Sequence, residues 1–185
     1  MYDFGNSAYA AVVLLAVYSA YFQGRVVGGA EGTRLWGQAV FYAMLVVAVS
    51  APVLGAIADF SGTKKRFLFV FTVLACLFTA GLFFAKPGYV LIAMVFFILA
   101  EIGYRGAQVF YNGLLPGIAA PAGIGRISGN GWAIGTAGGV ICLLLILPLI
   151  MFIGGNVIIR LTLVITAIFF AVSATPLFLW LRERA

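Results

Sequence analysis

Histidine is absent from the 185-residue chain. With it go Ser-His and Cys-His nucleophilic pairs and every histidine metal site. Acid is scarce too: five Asp and Glu residues leave metal-dependent hydrolysis almost nothing to work with. The two cysteines, Cys76 and Cys142, each lie inside an apolar run, where a thiol acts as a small hydrophobe and implies neither a disulfide nor an oxidising compartment. Protease signatures of the G-x-S-G or G-x-G-D kind and the phosphate-binding G-x-x-x-x-G-K-[ST] loop are missing, and no apolar run holds paired acids. No enzymatic activity, cofactor or metal is expected. Charged residues make up 9% of the chain, against about 25% in a typical soluble domain, too few to cover a soluble surface.

What is present is apolar. The chain is 64% hydrophobic with a mean hydropathy of +1.17, so lipid is the expected solvent of its outer face. Six runs are long enough to span a bilayer: 4–22, 35–58, 67–85, 89–112, 127–151 and 161–181. The links between them are rich in Gly, Pro or charge, and none is long enough for a soluble domain, so residues 1–185 read as one six-helix bundle. The first run lacks the basic start of a secretory signal peptide and is expected to stay in the membrane.

The net charge of +6 flanks the apolar runs rather than forming a patch, which points to membrane-end anchors and not to nucleic acid. Lys64, Lys65, Arg66, Arg126, Arg182 and Arg184 fall on one side, against Arg25, Arg34, Lys86 and Arg160 on the other. By the positive-inside rule both termini are expected to be cytoplasmic, in the plasma (inner) membrane. Trp36, Trp132 and Trp180 lie near span ends, where interfacial anchoring is the default role.

The second link carries the most information. Residues 55–67, "GAIADFSGTKKRF", resemble the loop between helices two and three of the major facilitator superfamily, G-x-L-A-D-R-x-G-R-K-x-x-L. Gly55, Ala58, Asp59, Gly62 and Lys64 match, with Ile57 and Phe67 as apolar equivalents, while Phe60 and Thr63 stand where the pattern has basic residues. Physically, Gly55 permits close helix approach, Gly62 a tight turn, and Asp59 is an anion beside the Lys64–Arg66 cations. The resemblance implies a cytoplasmic gate made by Gly55, Asp59, Gly62, Lys64 and Arg66; on charge alone, these cations only set topology. "YDFGNSAY", "VFYNGLLPGIA" and "GRISGNGWAIGTAGG" are similar to the vacuole-effluxer-like branch, whose fungal members release amino acids from the vacuole. Such transporters usually have twelve helices, so the resemblance implies an N-terminal half: a partial chain, or a half-length protein that must pair.

The sharpest polar constellation is "AEIGYRGAQVFYNG" in the fourth run. At about 100° per residue, Glu101, Arg105, Gln108 and Asn112 share an arc of about 60°. Glu101 lies near mid-span, where a charge costs roughly 2.5–3.5 kcal/mol on insertion scales, tolerable only if the stripe faces protein or water. It lines a substrate or coupling face, or it is a self-satisfied ion pair gluing helices. In the first run Asn6 and Tyr9 share a face and are candidate solute contacts or helix glue. Gly131, Gly135 and Gly139, at spacings of four, read as a packing stripe or a rocking contact. Pro148 and Pro176 are expected to kink or end helices.

The expectation is an all-α membrane protein with six transmembrane helices, one half of a major facilitator fold built as a 3+3 inverted repeat. It would move a small polar solute, amino acids by resemblance, together with a second six-helix half or a second copy in the lipid bilayer. The alternative is a non-transporting scaffold or half-transporter remnant that needs a partner.

Overall fold

The computed structural model describes residues 1–118 and 124–180. Arg182, Arg184 and link residues 119–123 lie outside the described residues, as does the side chain of Arg126. The described chain is helical throughout and contains six helices long and apolar enough to cross a membrane. They are α1 (Tyr2–Val27), α2 (Gly29–Ser61), α3 (Lys64–Gly81, continued as a 3-10 turn, Leu82–Phe84), α4 (Val90–Ile118), α5 (Ile124–Phe152) and α6 (Asn156–Trp180). Successive helices run in opposite directions, so the bundle has a Lys64 end and a Lys86 end.

The helices outrun the apolar runs. α6 begins at Asn156, so Arg160, counted among the loop cations, lies inside the helix and is buried. Its Nη1 donates to the Phe83 carbonyl (2.9 Å) and its Nε to the Asn156 carbonyl (3.1 Å), with the guanidinium over the Phe83 ring. An arginine so satisfied ties α6 to the end of α3, a role that charge counting does not distinguish from topology. Trp36 likewise sits inside the bundle, its ring centroid 4.3 Å from that of Phe97 and beside Tyr18 and Phe22, whereas Trp132 and Trp180 are exposed. Pro148 and Pro176 lie within α5 and α6, which continue to Phe152 and Trp180.

Small residues set the closest approaches. Gly103 of α4 faces the backbone of Ala75, so α3 and α4 meet backbone to backbone there, and Gly106 makes room for the ring of Phe71. On α1, a Cβ at Gly5 would stand 2.9 Å from the Cα of Phe170 in α6. Close contact of this kind supplies dispersion where lipid removes any hydrophobic gain from helix association. The extensive pairings are α3 with α4, α1 with α5, α2 with α4, α1 with α6 and α3 with α6.

α1 departs from a regular helix. Ala10–Ala16 and Phe22–Val27 are π-helical, and Val17 N–H donates to the Val12 carbonyl five residues back at 2.9 Å. At about 100° per residue, Tyr9 and Tyr18 would point about 180° apart. The wider π turn rotates less per residue, and both hydroxyls reach α4: Tyr9 to Glu101 and Tyr18 to the Ala93 carbonyl at 2.9 Å. Tyr21 reaches the Ala85 carbonyl at 2.9 Å, and Tyr2 pairs with Thr72 at the same distance. Buried tyrosines therefore pin α1 along its length.

Leucine at Gly103 should destabilise the bundle by about 1–3 kcal/mol through overpacking. Leucine at Gly37, where a Cβ meets nothing within 4 Å, should stay within about 0.5 kcal/mol of the native chain. Thermal unfolding in detergent compares the two; equal midpoints would refute the close α3–α4 contact.

Candidate functional site

The polar stripe of α4 turns inward. Glu101, at the middle of its span, has no exposed surface. Arg105 Nε donates to Glu101 Oε1 at 2.8 Å, one turn along the same helix, and the Tyr9 hydroxyl donates to Oε2 at 3.1 Å from α1. Each carboxylate oxygen thus has its own donor, one of them cationic. Removing one partner of a buried pair typically costs about 3–5 kcal/mol, because it strands the remaining charge.

Tyrosine rings complete the cluster. Tyr104 stacks on Tyr9 with ring centroids 4.5 Å apart, and the Arg105 guanidinium lies 5.4 Å from the Tyr104 ring centroid. Gln108 Nε2 donates to the Tyr104 hydroxyl at 3.1 Å. Glu101 is sealed in, yet the Arg105 side chain keeps 33% of its surface exposed. Gln108 is half-buried and Asn112 exposed. The stripe therefore opens progressively from mid-depth towards the Lys64 end.

Of the sequence-predicted site residues, Tyr9, Glu101 and Arg105 meet directly, and Gln108 joins through Tyr104. Asn6 is buried one turn from Tyr9, and its Oδ1 meets no donor among the described residues. Asn112 is not brought into the cluster. Tyr104 and Tyr111 were missed. The Tyr111 hydroxyl donates to Asp3 Oδ2 at 2.7 Å, a second polar link between α4 and α1. Their seven-residue spacing, with Gln108 between, is the signal that counting tyrosine as apolar conceals.

At the Lys64 end the motif residues form a joint. Gly62 ends α2 in the left-handed region (φ 62°), and Thr63 N–H closes the turn onto the Ala58 carbonyl at 3.1 Å. Lys64 Nζ then bonds Asp59 Oδ1 at 2.5 Å and donates to the Gly113 carbonyl of α4 at 3.3 Å. Arg66 is exposed. Gly55, expected to admit a close helix neighbour, has none: a Cβ there meets nothing within 4 Å among the described residues.

The glycine stripe of α5 lies on α1. A Cβ at Gly131 would stand 2.5 Å from Asp3 Oδ2, one at Gly135 2.7 Å from Ser7 Oγ, and one at Gly139 3.1 Å from the Ser7 carbonyl. Gly138, between them, faces the backbone of Phe4. Among the described residues no three His, Cys, Asp or Glu side chains gather as metal ligands would.

Comparison with known proteins gives two matches. Residues 39–125 match the family described as "Vacuole effluxer Atg22 like". The "Uncharacterized MFS-type transporter YxiO" of Bacillus subtilis (strain 168) is 30% identical over 155 residues, 82% of this chain and 36% of that protein. The chain therefore spans about a third of the length of this curated relative. No solved structure matches. Both matches are to transporter families, which are not enzymes, and both agree with the all-α, multi-span membrane architecture described above. One expectation is corrected: the matched family is described by the vacuole, which points to a vacuolar membrane and not to the plasma (inner) membrane. Loop charge carries no information about which membrane receives a chain.

Phenylalanine at Tyr9 removes one charge-assisted bond from buried Glu101 and should cost about 1.5–3 kcal/mol. Phenylalanine at exposed Tyr42 should cost little. Matched thermal unfolding curves decide it; identical midpoints would show that Tyr9 does not carry the carboxylate.

Proposed function

We propose, from the similarity to an MFS-type transporter and to the vacuole-effluxer-like family, that the chain is one six-helix half of a secondary transporter. It moves a small polar solute by alternating access. The observation that carries this reading is the mid-depth cluster in which Glu101 is sealed while the side chain of its partner Arg105 stays a third exposed. A helix glue would close both charges away; a solute site needs one that is held and still reachable. Glu101 and Tyr104 orient the guanidinium, and a guanidinium suits a carboxylate, which agrees with the amino acids suggested by the vacuole-effluxer-like resemblance. Gln108 joins the cluster through Tyr104, and Asn6 is buried one turn from Tyr9.

The packing supports a 3+3 inverted repeat. Exchanging α1–α3 with α4–α6 maps the α1–α5 pairing onto α4–α2, α1–α6 onto α4–α3, and α3–α6 onto itself. The glycine contacts follow: Gly5 brings α1 onto α6 as Gly103 brings α4 onto α3. On this reading α2, exposed along nearly its whole length, and the open face of Gly55 are covered by a second half or a second copy. The Asp59–Lys64 joint, tied to the Gly113 carbonyl, then serves as a gate between packed states.

Reconstituted protein assayed for uptake and efflux of a panel of labelled solutes, with and without a pH gradient, tests the proposal. Alanine at Glu101 or at Arg105 should cut transport at least about tenfold, equivalent to about 1.4 kcal/mol, with membrane insertion unchanged. Full transport by both variants would overturn it.

A further inference from the structure

A second feature, away from the polar cluster, is a groove between α3 and α6 of about 430 Å³. Phe69, Val73 and Leu77 line it on α3, and Ala167, Ala171 and Thr175 on α6. On α3 these residues oppose the α4-facing side: at about 100° per residue, Val73 and Leu77 lie about 160° round the helix from Ala75. The groove therefore opens outward from the bundle. Alanines on α6 leave the space, and the Phe69 and Phe178 rings, 5.2 Å apart and edge to face, line it towards the Lys64 end.

Two dimensions identify an occupant. The groove lies along α3 from Phe69 to Ala80, across the middle of the Lys64–Phe84 span, and from Arg66 to Leu77 that helix rises about 16 Å, at about 1.5 Å per residue. That is about half of a hydrocarbon core of about 30 Å, the depth of one leaflet. At its mouth, one turn before Phe69, stands Arg66, exposed and within about 60° of the groove line on the same helix. An apolar slot that reaches one leaflet's depth from a cation near the helix end is complementary to one amphiphile: an anionic phospholipid.

We propose that the α3–α6 groove binds a single anionic phospholipid, one acyl chain lying along Phe69, Val73 and Leu77 and its phosphate beside Arg66. This site is separate from the Glu101–Arg105 cluster and stands whether or not the transport proposal does. Occupancy would brace the α3 segment that begins at Lys64, so bound lipid bears on the same joint as Asp59.

Native mass spectrometry of the delipidated full chain, given equimolar phosphatidylglycerol and phosphatidylcholine with identical acyl chains, tests it. One phosphatidylglycerol should be retained per chain, at least about fivefold in preference to phosphatidylcholine. R66Q should reduce that preference below about twofold while total bound lipid persists, and Ala171→Phe, at an exposed position, should reduce binding of both lipids. Equal retention of the two lipids by the native chain would overturn the proposal, as would variants that bind like it. So would efficient crosslinking of two lipid-free chains through Cys76 with Cys142 replaced by alanine, because it would show the groove covered by a second copy.

Discussion

A carboxylate at the middle of a membrane span must be neutralised, paired or hidden, and this bundle does the last two together. Glu101 sits with no exposed surface, one oxygen on Arg105 and the other on Tyr9. That requirement constrains much else. It brings α1 against α4, it places Tyr104 flat on Tyr9, and it ties the part-exposed Arg105 to the sealed carboxylate. Replacing a buried ion pair with packed apolar side chains is often neutral or favourable, so stability alone is a weak account of this cluster.

The rest of the packing makes that arrangement possible. Glycines let α4 lie on α3 and α5 lie on α1, while tyrosine hydroxyls on α1 bond the Ala93 and Ala85 carbonyls towards one end and the Thr72 hydroxyl at the other. Small residues bring backbones together; tyrosines fix rotation about the helix axis. The π stretches in α1 reconcile the two, since a regular helix would turn Tyr18 away from α4 if Tyr9 faced it. Residual exposure is concentrated on α2, which offers its length to lipid or to a further bundle.

Much of this was legible in the sequence because the bilayer simplifies the code. Apolar run length marks helices, and a charged residue in mid-run has few permissible surroundings, so Glu101 and its i+4 partner could be singled out from spacing alone. Gly62 was readable as a turn for a similar reason, since its left-handed backbone suits glycine. What stayed hidden depends on three-dimensional neighbours. Arg160 resembles any end cation until α6 is seen to start before it. Tyr104 and Tyr111 look apolar until their hydroxyls find Gln108 and Asp3. The π turns leave no periodic trace in an alanine- and valine-rich stretch, and Gly55 shows only that something is permitted near it, not that it is there.

The account rests on the polar side of α4 being turned to protein and water and away from acyl chains. Spin labels at Arg105 and Gln108, one at a time in a chain with Cys76 and Cys142 replaced by alanine, report this directly in liposomes. Collisions with a water-soluble nickel chelate should exceed those with membrane-dissolved oxygen at both positions, and a label at exposed Val73 of α3 should show the reverse. Oxygen-dominated collisions at both α4 positions would place that face in hydrocarbon and contradict the account.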